Sequence, residues 1–348
     1  MPRLLILDLA RARIPGMDLA VWLDQALEVP VVPSFTRIGY SARRALFHWN
    51  DLDDYDLDGR VVAVTGATSG LGRATAEQLA RNGASVAVVG RNPEKTGRTV
   101  AELRTATGNA AIRGVIADMG DHDSVRRAAA ELLATYDRLD VLIHNAASLS
   151  HERRASPDGT ELTVATQVVG PFLLTSLLLE RLRKSAPGRV ITVSSGGMYT
   201  ASPTVAGLQM DAHSYNGTKQ YALAKRAQVT LNELWAEWVA DRSVVFHCMH
   251  PGWADTPGVA DALPAFRRVV GPLLRDPREG ADTIVWLAAD DGEPASTSGQ
   301  FWLDRRVRPI HRLRRTARSD TPEVRTELWD WVVAASGASP APTRPPAG

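Results

Sequence analysis

The sequence predicts an α/β protein built on one doubly wound, mostly parallel sheet of seven strands. From Arg60 onward, short apolar runs rich in β-branched residues alternate with longer helical patterns. Parallel strands joined by crossover helices produce this alternation. A glycine-rich segment follows the first apolar run, where such a sheet places a ligand-binding turn. The chain has 348 residues, 44 % of them apolar, enough to form a core on both faces of the sheet.

Each predicted strand is a short, mostly apolar run bounded by turn-forming or polar residues. The seven runs are residues 61–65, 85–89, 112–117, 141–144, 190–193, 244–249 and 300–303. Helices are predicted between them, at residues 73–82, 93–107, 124–136, 161–184, 218–239 and 277–289.

The chain is predicted to have three regions: a helical N-terminal extension at residues 1–58, the α/β domain at 59–304 and a C-terminal segment at 305–348. The C-terminal segment begins with an arginine-rich stretch. We expect this stretch to be solvated and loosely ordered, because the net charge of the whole chain is only +1. From Ala335 the segment is rich in Pro, Ala, Gly and Ser, which is typical of a disordered tail.

Two helices are predicted within the extension, at residues 17–27 and 35–49. The second helix carries the side chains that we expect to dock the extension on the α/β domain. These candidates are Phe35, Ile38, Tyr40 and Phe47.

Composition and charge argue against several classes of function. A formal net charge of +1 provides no field that would attract nucleic acid. No run reaches the roughly 18 to 20 apolar residues of a membrane-spanning helix, so no integral membrane segment is predicted. The first residues lack the pattern of a signal peptide, which makes the cytoplasm the expected location. The single cysteine, Cys248, lies in an apolar run and is predicted to be buried rather than nucleophilic. No histidine spacing indicates a metal site.

The glycine-rich segment is predicted to bind the pyrophosphate of a dinucleotide. It connects the first strand to a helical pattern, and a Rossmann domain carries its phosphate-binding turn at this place. Small residues there let backbone N–H groups and the helix N-terminus approach the phosphates. The predicted cofactor-binding residues of this turn are Gly66, Thr68, Ser69, Gly70, Leu71 and Gly72.

The end of the second strand predicts which dinucleotide is bound. An acidic residue there would accept a hydrogen bond from the ribose 2′-hydroxyl of NAD(H). The sequence has Gly90, Arg91 and Asn92 instead, and a guanidinium can pair with a 2′-phosphate. NADP(H) is therefore favoured over NAD(H), with Arg91 as its determinant and Arg73 as a second candidate.

Two tyrosine–lysine pairs at four-residue spacing are candidates for proton transfer: Tyr215 with Lys219, and Tyr221 with Lys225. On a helix such a pair faces the same way, and the ammonium group together with the charge of the nicotinamide can lower the pKa of the phenol from about 10 toward neutrality. A phenol of that acidity can donate a proton to an oxygen that gains negative charge. Gly217 interrupts the first pair, so we assign the chemistry to Tyr221 and Lys225.

The motifs and their order resemble the short-chain dehydrogenase/reductase family. The glycine segment has the form Thr-Gly-x-x-x-Gly-x-Gly, Asn145-Ala-Ala ends the fourth strand, and Tyr221-Ala-x-x-Lys225 lies in a later helix. Other segments, such as Met-His-Pro-Gly-Trp-Ala-Asp-Thr, are similar to the dehydrogenase/reductase member-twelve-like branch. The resemblance extends from Arg60 to about Leu303. It implies a Rossmann-fold enzyme that moves a hydride between nicotinamide and a carbonyl or alcohol.

The resemblance also implies roles for further residues. Ser195, or Ser194 as the alternative, would hydrogen-bond the substrate oxygen and the tyrosine. Gln167 stands where the family has an asparagine that holds a proton-relay water, so we expect a relay that is weakened rather than lost. The implied cofactor contacts outside the glycine segment are Asp118, Asn145, Ala146, Tyr221, Lys225, Pro251, Gly252 and Thr256.

The substrate side of the pocket is expected to be apolar, with Trp253, Met198 and Tyr199 as lining residues. Residues 196–216 would form its rim and residues 257–268 a mobile lid.

The function that these features favour is NADP(H)-dependent oxidation or reduction of a small hydrophobic ketone, aldehyde or alcohol, with Tyr221 as general acid and base. One alternative is a weakly active or inactive NADP(H)-binding sensor or scaffold protein. Another is a nucleotide-sugar epimerase or dehydratase, which would need a larger C-terminal substrate domain than the chain provides. The resemblance also implies that two copies can pair through the long helices at 161–184 and 218–239 as a homodimer.

Overall fold

The structure, a computed structural model, describes residues 13–14, 17–258 and 264–338. The centre of the predicted lid and the predicted tail beyond residue 338 lie outside the described residues. A parallel sheet forms the centre of the fold, as predicted. Its strands, in chain order, are β3 (Val61–Thr65), β4 (Ser85–Gly90), β5 (Ile112–Ile116), β6 (Val141–His144), β7 (Gly188–Val193), β8 (Val244–Met249), β9 (Gln300–Leu303) and β10 (Arg306–Val307). A separate two-stranded pair, β1 (Arg13–Ile14) and β2 (Met17–Asp18), precedes them.

The spatial order of the main sheet is β10-β9-β8-β7-β6-β3-β4-β5. The order reverses direction beside β3, which is where a doubly wound sheet opens a crevice for ligands. The sheet has eight strands rather than the predicted seven. The extra strand, β10, pairs antiparallel with β9 through a two-residue turn in which Asp304 and Arg305 both have positive φ. Such a turn usually contains Asn or Gly, so the Asp-Arg pair gave no sign of a hairpin.

Helices cover both faces of the sheet. The α-helices are α1 (Leu19–Glu28), α2 (Val31–Phe35), α3 (Arg37–Leu46), α4 (Gly70–Arg81), α5 (Pro93–Thr107), α6 (His122–Thr135), α7 (Leu162–Arg183), α8 (Gly217–Trp238), α9 (Pro264–Val270), α10 (Pro277–Ala289), α11 (Glu293–Ser296), α12 (Arg314–Arg318) and α13 (Pro322–Ser336). Short 3-10 helices span Leu52–Asp54, Gly196–Thr200, Ala206–Gln209 and Gly271–Leu273.

Two hydrophobic cores separate the helices into two layers. Apolar residues of α6, α7 and α8 pack on one face of the sheet, and those of α4, α5 and α10 pack on the other. α7 is long and apolar enough to span a membrane, but 78 % of its most apolar window is buried inside the fold. Packing in the first core therefore accounts for its apolar character.

The C-terminal segment is more ordered than the sequence predicts. Helix α13 includes Ala335 and Ser336, and its Trp329 is 1 % exposed, with ring centroids 5.3 Å from Phe172 and 5.1 Å from Trp235. The prediction of a disordered tail from Ala335 was wrong for Ala335 and Ser336, because α13, which packs on the core through Trp329, continues to Ser336.

Part of the arginine-rich stretch is buried, although Arg314 and Arg315 are exposed. Arg305 is buried and donates to both carboxylate oxygens of Asp282, and the buried Arg308 does the same with Asp24. The prediction of a loosely ordered stretch was wrong because both carboxylates come from distant parts of the chain.

The extension packs on the α/β domain through part of the predicted set. Phe35 and Tyr40 are buried, and Phe47 is half-buried, with the guanidinium of Arg306 4.4 Å from the centroid of its ring. Ile38 is 48 % exposed, so its predicted docking role is wrong. The predicted second helix is interrupted at Thr36, whose extended backbone ends α2 and begins α3.

Candidate active site

A large cleft opens at the carboxyl ends of the parallel strands, with a volume of about 1960 Å³. Fifteen predicted site residues line it: Gly66, Thr68, Ser69, Gly70, Leu71, Arg91, Asp118, Asn145, Ala146, Ser195, Tyr221, Lys225, Pro251, Gly252 and Thr256. Gly72 and Gln167 are not among the residues that line it. The sequence therefore predicted one continuous site from segments that are far apart in the chain.

The glycine turn between β3 and α4 has the shape that a dinucleotide pyrophosphate requires. Gly66 and Gly70 have positive φ angles of 67° and 52°, and a Cβ on Gly66 would lie 2.8 Å from the Cα of Ala146. A Cβ on Gly72 would lie 2.5 Å from the carbonyl oxygen of Gly66. Because Gly72 has no side chain, α4 can approach the turn. Gly66 and Gly70 shape the surface of the cleft. These positions fit a phosphate group held by backbone N–H groups at a helix N-terminus.

Asn145 holds the turn from the neighbouring strand. Its side-chain nitrogen Nδ2 donates to the carbonyl oxygens of Thr65, at 3.0 Å, and Gly66, at 3.3 Å. The Thr65 hydroxyl accepts from the backbone N–H groups of Asn145 and Ala146. The ends of β3 and β6 are therefore fixed to each other beneath the cleft.

The far end of the cleft carries the predicted 2′-phosphate determinant. Arg91 lines the cleft just after β4, and Asn92 caps α5 by accepting from the backbone N–H of Lys95. Lys95 also lines the cleft, on the first turn of α5, and sequence reasoning missed it. Arg73, the second candidate, lies outside the cleft and pairs with Glu102 at 3.1 Å.

Tyr221 and Lys225 lie on the inner part of α8, and Ser195 faces them from the end of β7. The Ser195 hydroxyl is hydrogen-bonded to Tyr221 and accepts from the backbone N–H of Gly197. The Lys225 ammonium nitrogen donates to the carbonyl oxygen of Val193 at 2.8 Å and lies 5.3 Å from the centroid of the Tyr221 ring. The geometry places a phenol, a hydroxyl and an amine at one point of the cleft.

The alternative residues have other roles. The hydroxyl of Ser194 is buried and donates to the carbonyl oxygen of Lys225 at 3.0 Å, so it ties β7 to α8. Tyr215 precedes α8, and its hydroxyl donates to Glu161 at 3.0 Å. These contacts favour Ser195 and Tyr221 as the pair that faces a substrate.

Burial shifts the pKa values of both Tyr221 and Lys225 in the ligand-free chain. Burial raises the pKa of Tyr221 to about 12, against the opposing effect of the hydrogen bond to Ser195. Burial also lowers the pKa of Lys225 to about 7. The predicted fall of the tyrosine pKa includes the charge of a bound nicotinamide, so it stays a prediction for the complex with the dinucleotide. The desolvated lysine is only partly charged near neutral pH, so it cannot compensate for the burial of the phenol.

The sequence model of the short chain dehydrogenase family matches residues 60–265, more than half of the chain. The chain belongs to this family. Dehydrogenase/reductase SDR family member 12 of Bos taurus is 37 % identical to it over 305 residues, which cover 87 % of this chain and 93 % of the relative. Retinol dehydrogenase 11 of Homo sapiens is 32 % identical over 278 residues, which cover 79 % and 85 % of the two chains.

Solved structures agree with this assignment. A protein from Escherichia coli CFT073 in complex with NADPH superposes with a TM-score of 0.60 at 26 % sequence identity, and the match covers 74 % of this chain and 100 % of that one. The short chain dehydrogenase described here is therefore an NAD(P)-dependent oxidoreductase that acts on CH–OH or C=O groups, and it is similar to the member 12 branch of the family.

Gln167 is the place where this short chain dehydrogenase departs from the expected site. It lies in a π-helical turn, Ala165–Val169, within α7. Its side-chain nitrogen donates to the backbone carbonyl oxygen of Ser148 at 2.8 Å. The backbone carbonyl oxygen of Gln167 accepts from the side-chain nitrogen of Gln228 at 2.7 Å. The side chain is fully buried and holds the loop after β6 rather than lining the cleft.

The walls of the substrate side match only part of the prediction. Trp253 lines the cleft, and so do several residues of the predicted rim. Met198 and Tyr199 belong instead to a small core around Phe35, with exposures of 0 % and 5 %. Their predicted role in the pocket is wrong, because the 3-10 helix Gly196–Thr200 turns both side chains inward.

Two buried residues near the site have structural roles, and one of them, Cys248, is buried as the sequence predicted. Burial lowers the pKa of His250 to about 3, and its Nδ1 accepts from the backbone N–H of Gly252, which is a structural role. Burial raises the pKa of the Cys248 thiol to about 12, which removes its reactivity as a nucleophile.

Other lining residues carried no signal in the sequence. Arg154 follows β6, Phe266 lies on α9, and Arg315 lies on α12, where it donates to the carbonyl oxygen of Thr200. They belong to connecting segments whose paths the family motifs do not fix. Both arginines place positive charge on the wall of the cleft.

Proposed function

We propose that this short chain dehydrogenase is an NADP(H)-dependent carbonyl reductase or alcohol dehydrogenase that acts on a hydrophobic ketone, aldehyde or alcohol. Tyr221 is its general acid and base. The observation that carries this proposal is the convergence of Tyr221, Ser195 and Lys225 on the cleft that also contains the glycine turn.

The residues of the chain divide the work at the substrate oxygen. The bound dinucleotide supplies or accepts the hydride. Ser195 positions the oxygen by a hydrogen bond, and Tyr221 donates a proton to the oxygen as negative charge develops there. Lys225, held by the carbonyl oxygen of Val193, contributes positive charge beside the phenol when it is protonated. Alcohol oxidation uses the same groups in reverse.

The preference for NADP(H) rests on the residues at the adenosine end. Arg91 and Lys95 both line the cleft there, and no carboxylate follows β4 directly in the sequence. A guanidinium and an ammonium together suit the double negative charge of a 2′-phosphate. The NADPH complex of the similar Escherichia coli CFT073 protein supports the same choice.

The proposed preference for an apolar substrate rests on the residues at the end of the cleft opposite the adenosine end. Trp253, Phe266 and Leu223 line the cleft near the side of Tyr221 and Ser195 on which a substrate would enter. Apolar and aromatic walls with a few convergent polar groups are typical of sites for small organic molecules. The similarity to a protein named for retinol supports an alcohol or carbonyl substrate.

A carbonyl panel with matched tyrosine variants tests the proposal. Consumption of NADPH and of NADH is followed for wild type, Tyr221→Phe and Tyr215→Phe. We expect turnover with NADPH above that with NADH. We expect kcat/KM to fall by about 10² or more in Tyr221→Phe, the usual contribution of a general acid, and to change little in Tyr215→Phe. The control variant, Tyr215→Phe, also loses a tyrosine hydroxyl, and Tyr215 likewise lies four residues before a lysine.

Two results would contradict the proposal. Equal activity of Tyr221→Phe and wild type would remove Tyr221 from the chemistry. Tight NADPH binding without turnover across the panel would favour the alternative function, an NADP(H)-binding sensor or scaffold protein.

A further inference from the structure

The N-terminal extension contacts the loop that follows β8 and lines the cleft, which consists of Pro251, Gly252 and Trp253. The backbone N–H of Trp253 donates to the carbonyl oxygen of Phe35 at 2.7 Å. Gly252 has a φ of 71°, and a Cβ there would lie 2.6 Å from the same oxygen. The backbone of the loop therefore lies directly against the backbone of the extension, with no space for a side chain between them.

The ring of Phe35 fills the space beneath two loops of the site. Its centroid lies 4.5 Å from that of His250 and 5.9 Å from that of Trp253, both in edge-to-face geometry. On another side, a Cβ on Gly196 would lie 2.6 Å from the ring. Gly196 directly follows Ser195, so one side chain contacts the ends of both β7 and β8. Phe35 is 3 % exposed and does not itself line the cleft.

A buried ionic network holds this arrangement in place. Arg275, which is 1 % exposed, donates to the carbonyl oxygens of Ser34, Thr36 and Pro251, and pairs with Asp304. The same carboxylate accepts from Arg43 of α3 at 2.7 Å. Arg275 thus bonds both the extension and the loop of the cleft. A guanidinium whose donors have fixed partners holds those partners with little freedom.

We propose that Ser34–Thr36 is a positioning segment for the Pro251–Trp253 loop, with Phe35 as its positioning residue. The extension sets the shape of the nicotinamide end of the cleft. This inference rests on the proposed function, because Pro251 and Gly252 are among the expected cofactor contacts and hydride transfer beside Tyr221 places the nicotinamide at this end of the cleft. The family model matches residues 60–265 and does not include the extension. The contribution of Phe35 is therefore particular to chains that carry this extension.

Ligand binding by Phe35→Leu tests the inference. Leucine keeps apolar bulk and the backbone bond to Trp253 but removes the ring. The dissociation constants of NADPH and of adenosine 2′,5′-bisphosphate, which lacks the nicotinamide half, are measured by titration. We expect the constant for NADPH to rise about tenfold and that for the bisphosphate to stay within about twofold, because the aromatic contacts support only one end of the cleft. The stereospecificity of hydride transfer from deuterated NADPH should also relax.

Tyr40→Phe is the matched control. Tyr40 is another buried aromatic residue of the extension, and its hydroxyl donates to Asp282 at 3.3 Å rather than to the cleft loop. Loss of the Tyr40 hydroxyl should leave both dissociation constants and the stereospecificity unchanged. Thermal unfolding of each variant establishes that it is folded. If Phe35→Leu does not fold, Phe35→Tyr, which keeps the ring, is compared with Phe35→Met, which does not.

The outcomes separate the two proposals. If wild type binds NADPH and Phe35→Leu binds it equally well with unchanged stereospecificity, the positioning role is overturned and the proposed function stands. An equal loss of both ligands would show a general structural role and would also overturn it. If wild type binds neither ligand, the proposed function itself fails.

Discussion

Lys225 is the residue whose charge the fold alters most directly at the site. It is 1 % exposed, and burial lowers its pKa from 10.5 to about 7. The partner that it bonds is a neutral carbonyl oxygen, that of Val193, and not a carboxylate. The ligand-free protein therefore keeps a lysine that changes its charge near neutral pH, beside a phenol that keeps its proton.

This lowered pKa predicts a pH dependence of stability. Between pH 7 and 10.5 the unfolded chain holds a proton on Lys225 that the folded chain releases. The stability that this group contributes should therefore rise with pH in that window, by up to about 1.4 kcal/mol per pH unit. We expect the free energy of unfolding of ligand-free wild type, relative to Lys225→Met, to increase between about pH 7 and about pH 9. Urea unfolding of both proteins measures this, and a difference that stays constant or decreases would contradict the assigned burial.

At the scale of elements, the turn between β3 and α4 needs glycine for two reasons. Its backbone has positive φ, and neighbouring atoms lie too close to leave space for a Cβ. A matched pair of glycines separates the two effects. Gly66 and Gly108 have φ of 67° and 71°, but only a Cβ on Gly66 would meet other atoms. Gly108→Ala should lose about 1–2 kcal/mol of stability from backbone strain, and Gly66→Ala should lose more, because its Cβ would also lie 2.8 Å from the Cα of Ala146. NADPH affinity should fall at least about tenfold only in Gly66→Ala, since only its methyl group would press on Ala146 and displace the turn that lines the cleft. Fluorescence titration of NADPH checks this, and equal affinity in both variants would contradict the assigned role of the turn.

The elements also show which information the sequence contains. The strands and the long helices follow from local patterns, because each buries a face whose period is visible in its own residues. The glycine turn and the Tyr221–Lys225 pair follow from spacing for the same reason. β10 could not be predicted, since its turn needs positive φ at Arg305, a residue type that rarely adopts it.

The remaining differences between prediction and structure concern side chains whose hydrogen-bond partners are distant in the chain. Charge composition alone predicted solvent around Arg308, whereas the fold brings Asp24 to it. Gln167 was expected to hold a proton-relay water; the structure shows that it bonds Ser148 and Gln228 inside the fold, and its part in a relay stays a prediction. A side chain's direction within a π-helical turn does not follow from the spacing of an ordinary helix.

At the scale of the whole molecule, the extension and the α/β domain share one buried ionic network. Arg43 is fully buried and pairs with Asp24 and Glu28 of the extension and with Asp304 of the domain. Breaking a buried network from one side leaves carboxylates without a counter-charge. We therefore expect the described part of the extension to unfold together with the domain rather than before it.

Adjacent arginines test this coupling. Arg43→Met should lower the free energy of unfolding by about 3–5 kcal/mol, and unfolding should remain a single transition. Arg44, next in the chain, has a side chain that is 52 % exposed and pairs with the exposed Asp51. Arg44→Met should cost less than about 1 kcal/mol. Denaturant unfolding followed by both fluorescence and circular dichroism measures the two values. Similar losses in both variants, or a separate early transition in wild type, would contradict a shared network.

The central claim is that Tyr221 transfers the proton in a cleft that also holds the dinucleotide. Its most direct measurement is the single-turnover rate of NADPH oxidation by an accepted carbonyl compound, for wild type and Tyr221→Phe at saturating ligand. We predict that the variant binds NADPH as wild type does and oxidises it at least about 10² times more slowly. Equal single-turnover rates in the two proteins would contradict the claim.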